Sequence, residues 1–351
     1  MIKAKPFFSI IIPTYKRPKL LKAAIKIFLA QTFTDLEIVV IDDCSPDNTR
    51  GVVSAIKDKR IRYIRNPKNL GQEPNFKKAF GLGRGKYLFI TGDDDYVLYP
   101  DTLEKVHNLI IKKNYGFVKL NLIEKKFIGK GLRKSIIHCE QDIVIAKGSS
   151  PEKIIDFFRT VAVGHMSGLI FKNESWVSAK LFSLQETPWV RILYELTHKY
   201  GAIYLSKYYM IITWSQLAIL HLYDVIPTKP LMMEEYVNYI YTIMPRQKRD
   251  VYKWNYYKVF ALLQPVIKLY SNNRNLIEYD KRLFVLEPRL KKTPLLWCML
   301  FVSLLTPNYI WRFVRVVQHK NKNFLHELPN LQTVIDRYSY LEKTYLMNNS
   351  E

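Results

Sequence analysis

Between Phe8 and Lys113, short apolar runs of β-favouring residues alternate with segments of helical period, and that alternation leaves few folds open. Phe8 to Ile12 is a β-rich run stopped by Pro13, followed by a helical pattern in Leu21, Ile25, Phe28 and Leu29. Leu36 to Ile41 is a second buried run and Ile61 to Ile64 a shorter third; Asn75 to Phe80 begins another helical piece before a fourth run, Tyr87 to Thr91. This is the rhythm of a doubly wound α/β sheet. Ligands of such sheets bind outside the carboxyl ends of the strands. Here those ends read Pro13-Thr14-Tyr15, Asp42-Asp43 and Asp93-Asp94-Asp95, so three polar clusters are expected to converge.

The chemistry of the clusters suggests a division of labour. Adjacent carboxylates repel, so a fold that gathers Asp93, Asp94 and Asp95 at one strand end usually supplies a cation. Oxygen ligands suit hard divalent ions such as Mg2+ or Mn2+, which commonly complete their shell with substrate phosphate oxygens. The competing reading is an acidic turn before a helix, because Asp101-Thr102-Leu103-Glu104 spells a capping box. Pro13 lacks an amide donor and shapes a rigid loop, and a carboxylate at the second strand end can accept from a base N–H. Asp42 and Asp43 have a plainer alternative, a turn capped with Ser45 and Asp47. No GxGxxG follows the first strand and no GxxxxGK[ST] occurs anywhere, so dinucleotide and P-loop readings lose their support.

The runs FSIIIPTYKRPKLLKAAIKIFLAQTFTDLEIVVIDDCSPDNT and NPKNLGQEPNFKKAFGLGRGKYLFITGDDDYVLYPDTLEKV resemble the nucleotide-sugar domain of inverting glycosyltransferases of family 2. The resemblance covers roughly residues 6–113, with several motifs in the family's order and spacing. It implies a GT-A fold (Rossmann-like, doubly wound), beyond which the C-terminal region is expected to be mainly helical. It implies that Pro13, Thr14 and Tyr15 border the base of a UDP, dTDP, GDP or CDP sugar and that Asp43 contacts the nucleobase. Aligned on Pro100, Asp94 and Asp95 fall on the family's D-x-D element, with Asp95 the foremost ligand for Mn2+ or Mg2+ and Asp93 an extra carboxylate at the nucleotide and metal. Asn69, Gly71 and Asn75 fall in the segment that lines the donor site, although the Arg-Asn pair common there is absent.

Residues 114–215 are expected to form the acceptor half of a domain spanning 1–215. In Gly164-His165-Met166-Ser167-Gly168, small and polar residues precede an apolar strand, resembling the active-site floor of some members, abequosyltransferase-like ones included. That places His165, Ser167 and Gly168 near the acceptor. Inverting transfer needs a general base for the acceptor hydroxyl. In much of the family the base is the Asp of a Glu-Asp pair before a helix; this chain has Thr187 in its place, leaving Glu186 as the candidate, with Asp156 and Glu195 as weaker substitutes.

Composition bounds the partners. The 351-residue chain carries a formal charge of +23, which calls for a polyanionic neighbour: nucleic acid, an anionic bilayer or an acidic polymer. Three scattered cysteines argue against a disulfide framework or a zinc cluster and fit a reducing compartment. The amino-terminal apolar run has no cleavage-site pattern and reads as a core strand, so a cytoplasmic protein is expected. In a basic, aromatic region from 216 to 351, residues 246–322 hold 16 Lys or Arg against 4 Asp or Glu. Within it 293–311 is free of charge, which suits a membrane span, a helix lying on the bilayer or an ordinary core helix. The leading expectation is a metal-dependent transferase working on a lipid-linked or surface-polysaccharide acceptor, such as O-antigen, at the inner face of a bacterial membrane. A polyanionic acceptor such as teichoic acid is the second reading. The third is a non-catalytic nucleic-acid surface, disfavoured because no nucleic-acid motif occurs and the acidic strand ends repel phosphate.

Overall fold

The computed structural model describes residues 5–125, 132–133, 141–161, 167–174, 188–213, 244–261, 273–307 and 331–346. The chain divides into two compact units, the first comprising Met1–Leu184, Pro188–Trp214 and Glu327–Glu351 and the second Gln185–Thr187 with Ser215–His326.

The first unit begins with the expected alternation: β1 (Phe8–Thr14), α1 (Pro18–Leu29), β2 (Leu36–Asp42), α2 (Thr49–Ser54), β3 (Ile61–Arg65), α3 (Gln72–Phe80) and β4 (Tyr87–Ile90). It continues through β5 (Tyr96–Val97), α4 (Thr102–Lys113), β6 (Phe117–Lys125), β7 (Leu132–Arg133), β8 (Ile143–Ile145), α5 (Pro151–Thr160), β9 (Leu169–Lys172), α6 (Pro188–Tyr200) and β10 (Ala202–Thr213). The main path of the sheet runs β3-β2-β1-β4-β9-β6-β10-β5. Strands β3, β2, β1 and β4 are parallel to one another, and β9 enters antiparallel between β4 and β6. β1, β2 and β4 are buried at every position, as continuous apolar runs covered on both faces should be. From α1, Leu21, Ala24, Ile25 and Phe28 are buried, and the Phe28 ring meets Phe89 of β4 edge-on at 5.4 Å.

Register then decides which polar residues become neighbours. Ile11 pairs with Ile90, so three residues further along each strand Thr14 lies across from Asp93. On the other side of β4, Ile90 pairs with Leu169, which sets Ser167 against Gly92. Leu169 in turn pairs with Lys119 of β6.

The capping box does not form. Asp101 instead binds Lys105 Nζ at 2.6 Å, and Glu104 accepts from Thr32 Oγ1 at 2.7 Å. Gln31 Oε1 takes the Leu103 amide at 3.2 Å, so a residue just beyond α1 does the work that the local sequence assigned to Asp101. Further along the chain, α10 (Leu331–Leu341) belongs to this unit, where Arg337 Nε donates to Leu98 O at 2.6 Å. In the second unit, α7 (Arg246–Ala261), α8 (Asn273–Leu286), a 3-10 turn (Pro288–Lys292) and α9 (Pro294–Leu305) pack around Tyr257, Leu276, Tyr279, Leu283, Leu290 and Leu296. Among the described residues no helix is long and apolar enough to cross a membrane.

At the strand starts, a buried polar network ties the sheet to the loop before β4. Ser9 Oγ donates to Glu37 Oε1 at 2.6 Å, and Arg62 Nη1 reaches Glu37 Oε2 at 2.8 Å. The Arg84 amide donates to Glu37 Oε1 at 2.7 Å and the Gly85 amide to Ser9 Oγ at 2.7 Å. Removing a buried hub of this kind strands several donors at once. Glu37→Ala is expected to cost about 2–4 kcal/mol in urea unfolding. Ligand binding at the opposite strand ends should be unchanged in the variant, which nucleotide titration checks.

Candidate donor and metal site

The carboxyl ends of β1, β2 and β4 bring the three polar clusters together, and each carboxylate there meets a different set of partners. The Asp93 carboxylate is engaged by the chain itself: Thr14 Oγ1 donates to Oδ2 at 2.6 Å and Arg17 Nη1 to Oδ1 at 3.0 Å. The same Arg17 nitrogen lies 3.0 Å from Asp94 Oδ2. The remaining Asp94 oxygen, Oδ1, converges with Asp95 Oδ2 over Gly92, where a Cβ would sit 2.9 Å from each. Ser167 closes the far side, its hydroxyl donating to Asp95 Oδ2 and accepting from the Gly92 amide at 3.3 Å. Asp95 is thus flanked by Asp94, while Asp93 turns to Thr14 and Arg17.

Charge in this cluster is only partly balanced. All three carboxylates are buried, between 3 and 8% exposed. Burial, then the charges of Asp95 and Asp93, push the Asp94 carboxyl up to about 8. Burial also raises Asp93, outweighing its bridge to Arg17. For Arg17, burial opposes the charge but Asp93 and Asp94 prevail, holding the guanidinium above its usual range. Beneath Ser167 the fully buried Lys119 donates from Nζ to Ser167 O at 2.7 Å, and burial pulls this amine down to about 7 against the attraction of Asp95. Three buried carboxyl groups meet at one place, and the donors they offer are oxygens only. That set fits a hard divalent ion. Among the described residues no three His, Cys, Asp or Glu side chains surround one cation position, so ligand oxygens would have to complete its shell.

Asp43 does something the sequence does not reveal. Its Oδ1 accepts from Asn66 Nδ2 at 2.9 Å and the Leu70 amide at 2.8 Å, and its Oδ2 from the Gly71 amide at 2.9 Å. It therefore tethers the 66–71 loop to the end of β2. Gly71 carries φ +85°, left-handed backbone that favours glycine, and its amide also reaches Asn69 Oδ1 at 2.9 Å. Asn75 Oδ1 accepts from Asn66 Nδ2 at 2.8 Å, joining α3 to the same network. Asp42 points to Ser45 N at 2.9 Å and to the Tyr63 hydroxyl, the turn role of the plainer alternative. Pro13 does not stop β1, which pairs Pro13 with Ile41 and runs on to Thr14 opposite Asp42; Tyr15 is exposed just beyond it, with Lys16 Nζ 5.0 Å from its ring centre. Gly168 takes φ +78° and packs under Leu120 O, where a Cβ would meet that oxygen at 3.1 Å.

Glu186, Thr187 and His165 lie outside the described residues. Arg17, Asn66 and Lys119 escaped the sequence reading. Arg17 follows Tyr15-Lys16 directly and its place beside the strand end was visible, but nothing local says that a guanidinium folds back onto an aspartate 76 residues away. Lys119 sits in an apolar strand where a lysine is out of pattern, the one signal that could have flagged it.

Comparison with known proteins agrees with this architecture. Residues 9–172 match the family described as Glycosyl transferase family 2. The chain is 34% identical over 214 residues to the GalNAc(5)-diNAcBac-PP-undecaprenol beta-1,3-glucosyltransferase of Campylobacter jejuni, covering 57% of this chain and 64% of that protein. It is 30% identical over 127 residues to the UDP-Glc:alpha-D-GlcNAc-diphosphoundecaprenol beta-1,3-glucosyltransferase WfaP of Escherichia coli, covering 36% and 51%. The chain thus spans less than two thirds of the length of either relative. Among solved structures, S. aureus TarS 1-349 superposes with a TM-score of 0.50 at 18% identity, covering 88% of this chain and 91% of that one. TarS 1-349 in complex with UDP-GlcNAc gives the same TM-score. At that identity the likeness is one of fold, a GT-A-like α/β sheet. The family 2 match, over residues 9–172, takes in the strands of that sheet from β1 to β9.

Two outcomes are expected. Asp94 titrates higher in the folded chain than in the unfolded one, so its contribution to metal-free stability is full below pH 4 and declines as pH rises through about 8. Asp94→Asn should remove that decline and raise stability in EDTA at pH 8 to 9 by on the order of 1–3 kcal/mol, read as melting temperature against pH. Gly92→Ala should force Asp94 and Asp95 apart and weaken Mn2+ binding at least about tenfold, read by calorimetry, because the added methyl meets both carboxylates.

Proposed function

We propose that this chain is a metal-dependent inverting glycosyltransferase that moves a sugar from a nucleotide-sugar donor to a lipid-linked oligosaccharide or polysaccharide, at the inner face of a bacterial membrane. The observation that carries the reading is the convergence of Asp94 Oδ1 and Asp95 Oδ2 over Gly92, beside the Asp43-tethered loop. Asp95, with Asp94, would hold Mn2+ or Mg2+; bound there, the ion would neutralise charge on the leaving diphosphate. Arg17, which bridges Asp93 and Asp94, would counter the same charge from the β1 side, with Asp93 held in turn by Thr14. The Asp43-tethered loop, with Pro13, Thr14 and Tyr15 opposite, would border the base. Ser167 fixes the Asp95 carboxylate and Gly168 lets the β9 backbone approach β6 closely. An abequosyltransferase-like relationship rests on this Ser-Gly element alone. Glu186 is the candidate base, with His165 near the acceptor hydroxyl.

The donor proposed for first trial is a UDP-hexose, since the name of WfaP specifies UDP-Glc and both relatives are named for lipid-diphosphate acceptors. A thermal-shift screen of UDP, GDP, CDP and dTDP with and without Mn2+ tests the site. One nucleotide should stabilise the protein only with metal, by about 2.7 kcal/mol at a hundredfold excess over its dissociation constant. Asp95→Ala should abolish that shift, and an unchanged shift removes Asp95 from the site. Glu186→Gln should keep donor binding and slow transfer on the order of 100-fold or more; near-normal transfer removes Glu186 from the mechanism.

A further inference from the structure

Helix α9 turns an entire apolar face outward. Its inner side, Leu296, Leu300 and Ser303, is buried in the second unit. One hundred degrees of rotation per residue puts Leu295, Cys298, Phe301, Val302 and Leu305 together on the opposite side. All five are exposed, Phe301 at 64% and Leu305 at 67%. Trp297 flanks this face, 47% exposed, with its indole N–H donating to Lys291 O at 2.7 Å. No charged residue occurs from Thr293 to Thr306, so nothing on the helix opposes contact with hydrocarbon. The turn leading into it is basic: Arg289, Lys291 and Lys292 are all exposed. Arg289 is paired with Glu287 at 2.7 Å.

A soluble helix seldom leaves its outer half apolar from end to end. An occupant for this face must accept apolar side chains and, at the helix start, attract cations. At 12 residues the helix is about 18 Å long, too short to span a bilayer and long enough to lie in its interface. An aromatic residue at the boundary and lysines at one end are the arrangement of interfacial helices. The net charge of +12 over 246–322, from 16 basic and 4 acidic residues, favours an anionic surface over a second copy of this equally basic chain.

We propose that the outer face of α9 is a docking surface for an anionic lipid bilayer, with Phe301, Val302 and Leu305 entering the headgroup–acyl boundary and Lys291 and Lys292 meeting lipid phosphates. The inference rests on the reading above for why a bilayer is needed, to present a lipid-linked acceptor, and on the helix itself for where contact is made.

The test is sedimentation of the purified full chain with vesicles of phosphatidylglycerol and phosphatidylcholine, or of phosphatidylcholine alone, alongside metal-dependent nucleotide binding and analytical ultracentrifugation. The wild-type chain should bind the anionic vesicles, less so as salt rises. Phe301→Glu with Leu305→Glu should lower the partition coefficient at least about tenfold while leaving melting temperature and nucleotide binding unchanged. Lys291→Gln with Lys292→Gln, a second variant that spares the apolar face, should lower binding to anionic vesicles about tenfold. Unchanged binding by the Phe301/Leu305 variant, or no binding by wild type, overturns the proposal. So does a wild-type dimer that dissociates in that variant without vesicle binding, which would make the face a contact between copies. Loss of metal-dependent nucleotide binding in wild type with vesicle binding intact would count against the transferase reading and leave the docking surface standing.

Discussion

Three buried carboxylates held side by side govern the first unit. Each would be costly alone in a low-dielectric interior, and together they repel. The fold answers with a distributed set of partners: Thr14 and Arg17 from the end of β1, Ser167 from the entry to β9, and Lys119 from β6 behind it. Those partners come from three different strands, so the sheet order and register that join them are what make the acidic turn tolerable. Even so burial, with the neighbouring charges of Asp95 and Asp93, keeps the Asp94 carboxyl raised.

The second carboxylate cluster shows the same economy used for shape. Asp43 spends both oxygens on Asn66, Leu70 and Gly71, and so converts a loop without regular structure into a fixed wall. Its expected contact with a nucleobase therefore becomes a proposal of a different kind, in which the loop it holds matters as much as the carboxylate. Asn66 and Asn75 extend the tether to α3. Rigid support of this sort is what lets a loop hold a ligand without a large entropy cost on binding.

The second unit answers to a different constraint. Its core of Tyr257, Tyr279, Leu283, Leu290 and Leu296 covers one side of α9 and leaves the other to the surroundings. The charge-free run from 293 reads in sequence as a span, an interfacial helix or a core helix; the structure makes α9 a 12-residue helix half buried in its own unit. The choice turned on which residues Leu296 and Leu300 found as neighbours.

Much of the sheet was legible beforehand, because buried parallel strands write themselves as unbroken apolar runs and the helices between them as a 3.6-residue period. Pro13, Asp42 and the triple Asp marked the strand ends for the same local reason. Partnership was not legible. That Gln31 caps α4 in place of Asp101, that Arg17 bridges Asp93 and Asp94, and that Lys119 lies buried under Ser167 all depend on residues distant in the chain. Periodicity and turn chemistry are properties of neighbouring residues, so the sequence by itself determined the elements and the positions of their polar ends. Which carboxylates an arginine bridges and which one a serine holds depends on strand register across the sheet, and only the tertiary structure decided it.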